Sequence, residues 1–261
     1  MNTKYEFTGE TKIVYGRTLR RIKAIVAIGA TVAPGDIGGW IENENNLSVS
    51  GDAWVSGNAW VSGNACVSGN AWVYGDASVH GNAEVYGNAK VYGDARVYGD
   101  ARVYGDARVY GDAMVSGNAK VYGDAMVSGD ASVHGDASVH GDAEVSGNAE
   151  VYGNAKVYGN AKVYGNAMAS GNAKVYGDAE VSGNAEVHSN ADYMTFKNSW
   201  SSGRWFTYTA SNKKWKVGCF YGTGDELVSK AYSDSELSGK CYEAIVRAVE
   251  AIEAAKESEV K

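Results

Sequence analysis

The sequence predicts a mainly β protein: a left-handed parallel β-helix of about eight 18-residue coils, with an N-terminal β cap and a small C-terminal α+β module. Three observations predict it. From Val49 to Ala191 the chain repeats every six residues without an insertion or deletion, each unit turns at Gly-Asn or Gly-Asp, and the positions two residues apart that share one side are almost all valine and alanine. A period of six cannot line one side of an α-helix, whereas alternation of inward and outward side chains is the geometry of a strand. Proline appears once and glycine 34 times in 261 residues, and leucine is scarce, which excludes both a collagen-like chain and a leucine-built helical bundle.

Residues 1–48 read as the cap. Tyr5–Thr8, Lys12–Tyr15 and Arg21–Ile28 are β-rich, with Gly9 and Gly16 as turn signals, and Ala33–Gly39 is a turn-rich approach to the first coil.

Residues 49–191 form the rod, as 24 hexads from Val49 to Val187, with Ala169 the one replacement at the valine position and Ser189 the one replacement at the glycine. Gly, Asn and Asp tolerate the left-handed backbone that a sharp corner needs, so three hexads close one triangular coil. At about 4.8 Å per paired strand, eight coils make a rod roughly 38 Å long. Only a narrow tube can be filled by valine and alanine, which favours the slim left-handed, three-sided form.

Residues 192–261 drop the hexad and turn aromatic. Arg204–Ala210 and Lys214–Phe220 read as a hairpin around Ser211-Asn212-Lys213, followed by a helix over about 225–232 capped by Thr223 or Asp225. A second helix over about 235–257 carries Leu237, Cys241, Ile245, Val249 and Ile252 at helical spacing.

Units such as Val91-Tyr92-Gly93-Asp94-Ala95-Arg96 and Val151-Tyr152-Gly153-Asn154-Ala155-Lys156 resemble the left-handed β-helix hexapeptide-repeat superfamily, best known from acyltransferases. More narrowly, the repeat is similar to bacterial and prophage hexapeptide proteins often labelled acyltransferases. Gly35–Leu47, Trp205–Thr209 and Gly218–Leu227 look like flanking segments of prophage members. The resemblance covers about 140 residues and implies a fold; the superfamily holds enzymes and scaffolds alike.

Residues eighteen apart stack. The position after valine gives a column of Tyr86, Tyr104, Tyr122, His140, Tyr158 and Tyr176; a second holds Tyr74, Tyr92, Tyr110 and Tyr164; a third mixes His80, Tyr98, His134, Tyr152 and His188 with serines. Trp54 and Trp72 share one column and Trp60 lies in the next, while Arg102, Lys120, Lys156 and Lys174 run beside the six-membered aromatic column. Flat rings beside cations suit a contact surface for a protein or a sister subunit; tyrosine also has high strand propensity, and ladders of like residues support a sheet. The residues expected to meet a partner are those six column members with Trp54, Trp72, Trp205 and Tyr221.

Net charge is −7, with sixteen acidic and eight basic residues in 49–191, so nucleic acid is not the expected partner. Asp76, Asp94, Asp112 and Asp130 occupy one corner on successive coils, where the turn itself asks for Asp or Asn. The resemblance supplies an acyltransferase alternative in which His80, His134, His140 or His188 serves as base at a groove between subunits. Those histidines occupy the slot that Tyr and Ser fill elsewhere, and no loop interrupts the hexads to shape an acceptor site. Cys66, Cys219 and Cys241 show no metal-ligand spacing and fit a reducing compartment; Cys66 reads as exposed or subunit-covered, the other two as core of the C-terminal module. No apolar run is long enough to cross a bilayer, so the expectation is a non-catalytic scaffold in a bacterial host cytosol, without metal or cofactor.

Overall fold

The structure, a computed structural model, describes residues 2–259. The repeat is a parallel β-solenoid. Its rungs are β4 (Trp54–Val55) through β26 (Glu186–Val187), nearly all two residues long. Each pairs in parallel with the rung eighteen residues on, as in Trp54↔Trp72, Val97↔Val115 and Arg102↔Lys120. The rungs sort into three walls: wall I carries β5 to β26 in an eleven-stranded sheet, wall II eight strands from β4 to β25, and wall III seven from β6 to β24. Every alanine and valine of the repeat from Ala53 to Val187 is fully buried, so the tube is filled as the alternation requires.

At three outward positions of a unit the backbone N–H donates to the following coil, as in Trp54 N to Ala71 O at 3.0 Å, Ser56 N to Val73 O at 2.9 Å and Asn58 N to Gly75 O at 2.9 Å. Side chains add to the ladder at the corners: Asn82 Nδ2 donates to Asp100 Oδ1 at 2.8 Å and Asn88 Nδ2 to Asp106 Oδ1 at 3.0 Å. The corner glycine is required by more than its backbone angle. Gly105 has φ +73°, and a Cβ there would lie 2.9 Å from the Gly123 nitrogen of the next coil.

Val49 is not the first inward valine. It is 49% exposed, whereas Leu47 is fully buried and bridges Val67. Eight positions rather than six separate Leu47 from Val55, and the two extra residues put Val49 on an outward loop. Ile41, paired with Val61, takes the equivalent inward place on wall I.

The cap extends wall I. β1 (Tyr5–Val14) and β2 (Arg17–Ala24) form an antiparallel hairpin, and β2 pairs with β3 (Ile37–Ile41), which joins the first rung of that wall. The two β-rich stretches expected at the N-terminus are therefore one strand, and Gly9 sits in its bulge instead of a turn. Tyr15 and Gly16 both have positive φ, 48° and 76°, which makes the tight hairpin turn whose twist suits the flanking strands.

Past Ser189 the repeat stops: the Asp192 carboxylate accepts the His188 and Ser189 N–H groups, each at 2.7 Å. The C-terminal module is an antiparallel sheet of β27 (Tyr193–Lys197), β28 (Trp205–Thr209), β29 (Lys214–Val217) and β30 (Phe220–Gly222), packed by α1 (Gly224–Asp234) and α2 (Glu236–Glu259). The expected hairpin and both helices are present; Tyr193–Lys197 is a strand the sequence reading did not assign. Thr223 is the N-cap of α1, in a reciprocal capping box with Glu226. The buried stripe of α2 is Val246 and Val249, with Tyr242 and Ile245 against the same core. Leu237 and Ile252, expected in that stripe, are exposed, because the core-facing side of α2 is turned toward the sheet at Val246 and Val249. Cys219 is also exposed, in the turn between β29 and β30, and Cys241 is half-buried. No helix among the described residues is long and apolar enough to cross a membrane.

Candidate interaction surface on the solenoid walls

The column on wall III forms one continuous ring stack. Centroid separations from Tyr86 through Tyr104, Tyr122, His140, Tyr158 and Tyr176 are 4.9, 4.8, 4.7, 5.1 and 5.4 Å, with interplanar angles of 14° or less. Here the rungs Lys120–Gly123, Ser138–Gly141 and Lys156–Gly159 lengthen to four residues, so ring stacking and strand pairing extend together. Tyr193 meets Tyr176 edge-on and donates its hydroxyl to Lys174 O at 2.7 Å, closing the stack at the C-terminal end. Coaxial stacking spends ring faces on neighbouring rings. A partner on this wall therefore meets edges and hydroxyls, beside the exposed cations Arg102, Lys120, Lys156 and Lys174. Arg102 is paired with Glu84 at 3.2 Å.

Wall II stacks Tyr74, Tyr92 and Tyr110 at 4.8 and 5.0 Å. Tyr164, assigned to the same column, turns its hydroxyl to Glu180 at 3.2 Å and lies under the Lys216 ammonium, so it belongs to the seam with the C-terminal module. Wall I stacks Trp60, His80 and Tyr98 at 5.3 and 5.2 Å, with Tyr15 of the hairpin turn tilted against Trp60.

Two of the expected partner contacts, Trp54 and Tyr221, make contacts within the chain itself. Trp54 is 1% exposed, packed into the core of the cap, and out of a partner's reach. It is drawn inward because Gly38 leaves room for its ring; a Cβ on Gly38 would come within 2.7 Å of it. Tyr221 is exposed, but its hydroxyl donates to Ser182 O at 3.3 Å and accepts from Asn212 at 3.1 Å, fixing the module to the rod. Trp205 is half-buried with the Lys197 ammonium over its ring. Trp72 remains half-buried on wall II, and the six column residues stay half-buried or exposed on wall III.

The histidines are members of ring stacks. His80 and His140 each have rings on both sides, and His134 stacks on Tyr152 at 5.1 Å. Burial pushes the His80 imidazole pKa down, with help from Arg17 and Arg96, and that of His140 likewise, with help from Lys156. Both shifts favour the neutral imidazole. His188 forms an arrangement the sequence reading missed: Ser170 Oγ lies 2.6 Å from Nδ1 and Glu186 Oε2 3.4 Å from Nε2. The signal was present, since Ser170 lies eighteen positions before His188 in one column. The serine is 3% exposed, and its bond holds the last imidazole of that column. Burial also pushes the Cys66 thiol pKa up, reinforced by Glu84; the side chain is half-buried. Among the described residues no group of three or more His, Cys, Asp or Glu is placed to hold a metal ion, and the Asp76–Asp130 column offers one carboxylate per coil.

These features define a parallel β-solenoid repeat protein with a capped tube and ring-stacked outer walls. A family model described as YdcK Beta solenoid repeat matches residues 89–105, 95–109, 107–121 and 119–135, so the middle of the rod is similar to that repeat. No curated protein matches the chain.

Proposed function

We propose that this chain is a non-catalytic, rigid interaction protein that holds a protein partner along wall III. It belongs, in this reading, to the left-handed hexapeptide class and to the phage- or prophage-associated proteins it resembles, acting in a bacterial host cytosol. The observation that carries the proposal is the six-ring stack with a cation column beside it: a straight ridge of hydroxyls and ammonium groups on an otherwise acidic rod. Such a ridge fits an acidic protein face, since complementary charge sets register and encounter rate. Inhibition of a host defence or nucleic-acid-handling protein is suggested separately from the ridge by the acidic corners, whose carboxylates on most coils resemble duplex phosphates and would meet a basic face.

The test is capture from host lysate by the full chain and by two variants. One replaces Tyr104, Tyr122 and Tyr158 with serine, the residue this column already carries at Ser68; the other deletes residues 192–261. Loss of a captured protein in the tyrosine variant supports the ridge. Equal capture by all three proteins defeats it. Saturable acetyl-CoA binding that disappears when His80, His134, His140 and His188 are replaced would establish the acyltransferase reading instead.

A further inference from the structure

Each aromatic column has a foot, where its first ring faces a serine in the preceding coil: Ser62 before His80, Ser56 before Tyr74, Ser68 before Tyr86. On wall I the chain fills that place itself. The Trp60 indole lies parallel to His80, 5.3 Å away and 7° from coplanar in orientation, and Ser62 is buried to 1%. The filling residue precedes the ring by twenty positions. On wall III the residue so placed is Cys66, too small to cover Tyr86, and a shallow groove of about 330 Å³ remains over Cys66 and Ser68.

On wall II the corresponding residue is Trp54, and it is diverted into the core of the cap. Tyr74 is thus left stacked on Tyr92 on one side only, above a half-buried Ser56. A groove of about 600 Å³ lies there, lined by Ser56, Trp72, Tyr74, Asp52 and Lys90 and overhung by residues 29–31. That size lies within the ~300–1,000 Å³ range of small-molecule sites. Asp52, which also acts on the buried Lys4 ammonium, and Lys90 place a carboxylate acceptor and an ammonium donor beside the aromatic lining.

We propose that this groove binds a free planar bicyclic heterocycle, of indole or purine size, stacked on Tyr74 as Trp60 stacks on His80. The chain's own indole on wall I shows the geometry such a ring adopts, and the polar rim meets the hydrogen-bonding edge of a heterocycle. The site lies on a different wall from the protein-contact ridge and does not depend on it.

The experiment titrates the full chain with indole, adenosine and lumazine, read by saturation-transfer NMR and calorimetry. At least one probe should saturate. Ser56→Tyr puts the column's own residue at its foot and should weaken that probe about ten-fold or more, while Ser68→Tyr at the foot of wall III should change it less than about two-fold. Tyr74→Leu removes the stacking face and should weaken it similarly to Ser56→Tyr, with circular dichroism confirming the fold of each variant. Failure of all three probes to saturate overturns the proposal, as does unchanged affinity in Ser56→Tyr. Binding abolished by Ser68→Tyr instead would also overturn it.

Discussion

Replacing Gly105 with alanine forces a left-handed backbone on a residue with a side chain, at about 1–2 kcal/mol, and adds the contact with the Gly123 nitrogen. Gly177, in the last coil, has the same sign of φ and nothing within 4 Å of a would-be Cβ. Thermal melts should therefore show a clearly larger loss for Gly105→Ala than for Gly177→Ala; equal losses would mean that coil-to-coil contact adds nothing to the corner. Lys4 is a second residue with a measurable signature. It is 3% exposed, donates to Ser48 O at 3.0 Å, and burial lowers its pKa to about 8, opposed by Asp52. Because the unfolded chain holds that proton up to about 10.5, it binds more protons than the folded chain between the two values, and stability should rise with pH from about 8. Cys66, whose thiol burial raises above its ordinary value of 9.0, and Tyr5, which burial raises to about 12, act in the opposite sense above pH 9 and pH 10, so pH 8–9 is the clean window. At ~1.4 kcal/mol per unit the gain is a few kcal/mol at most. Denaturant melts of Lys4→Met should lack this slope; a slope equal to that of the parent would place it in another group.

The ends of the tube pose an accounting problem at the scale of elements, since backbone groups there have no further coil to meet. The last rung of each wall is answered by one side-chain oxygen: Lys174 N–H by Asn190 Oδ1 at 2.9 Å, Glu180 N–H by Thr207 Oγ1 at 2.9 Å, and Glu186 N–H by Ser211 Oγ at 2.8 Å. At the other end, where carbonyls are left over, the buried Asn46 amide donates to Gly63 O at 3.0 Å and Ala65 O at 2.8 Å. Thr207 is buried and Ser211 is exposed, so water can replace the second bond more easily than the first. Thr207→Val should cost about 1–3 kcal/mol and Ser211→Ala less, with faster amide exchange at Glu180 in the first variant. Unaltered exchange at Glu180 would remove the capping role of Thr207.

For the whole molecule, both ends of the rod are sealed by segments that do not repeat. Deleting residues 192–261 uncovers the last rungs and the apolar cross-section of the tube, which is the condition for edge-to-edge association. Light scattering should show concentration-dependent end-to-end association of the truncated rod and none of the intact chain at the same concentrations. A truncated rod that stays monomeric would show that the module does not serve as a lid. This measurement also separates a lid from a partner-binding unit, because a lid's removal changes assembly whatever protein is captured.

Rung length, the inward valines and alanines, and the membership of each outer column were legible in the residues, because an unbroken period of six makes every position congruent with the one eighteen away. Tyr86 and Tyr176 could be assigned to one stack by arithmetic. The fates of Val49, Trp54 and Tyr221 could not: each depends on a segment without a repeat, so no register carries the prediction across the boundary. Ser170 and His188 shared a column by number, yet their bond required side-chain torsions that spacing does not specify. Period and composition determined the walls of this protein; the tertiary structure alone decided which rings keep a free face and how the ends are sealed, because those outcomes follow from packing between parts whose sequences share no common spacing.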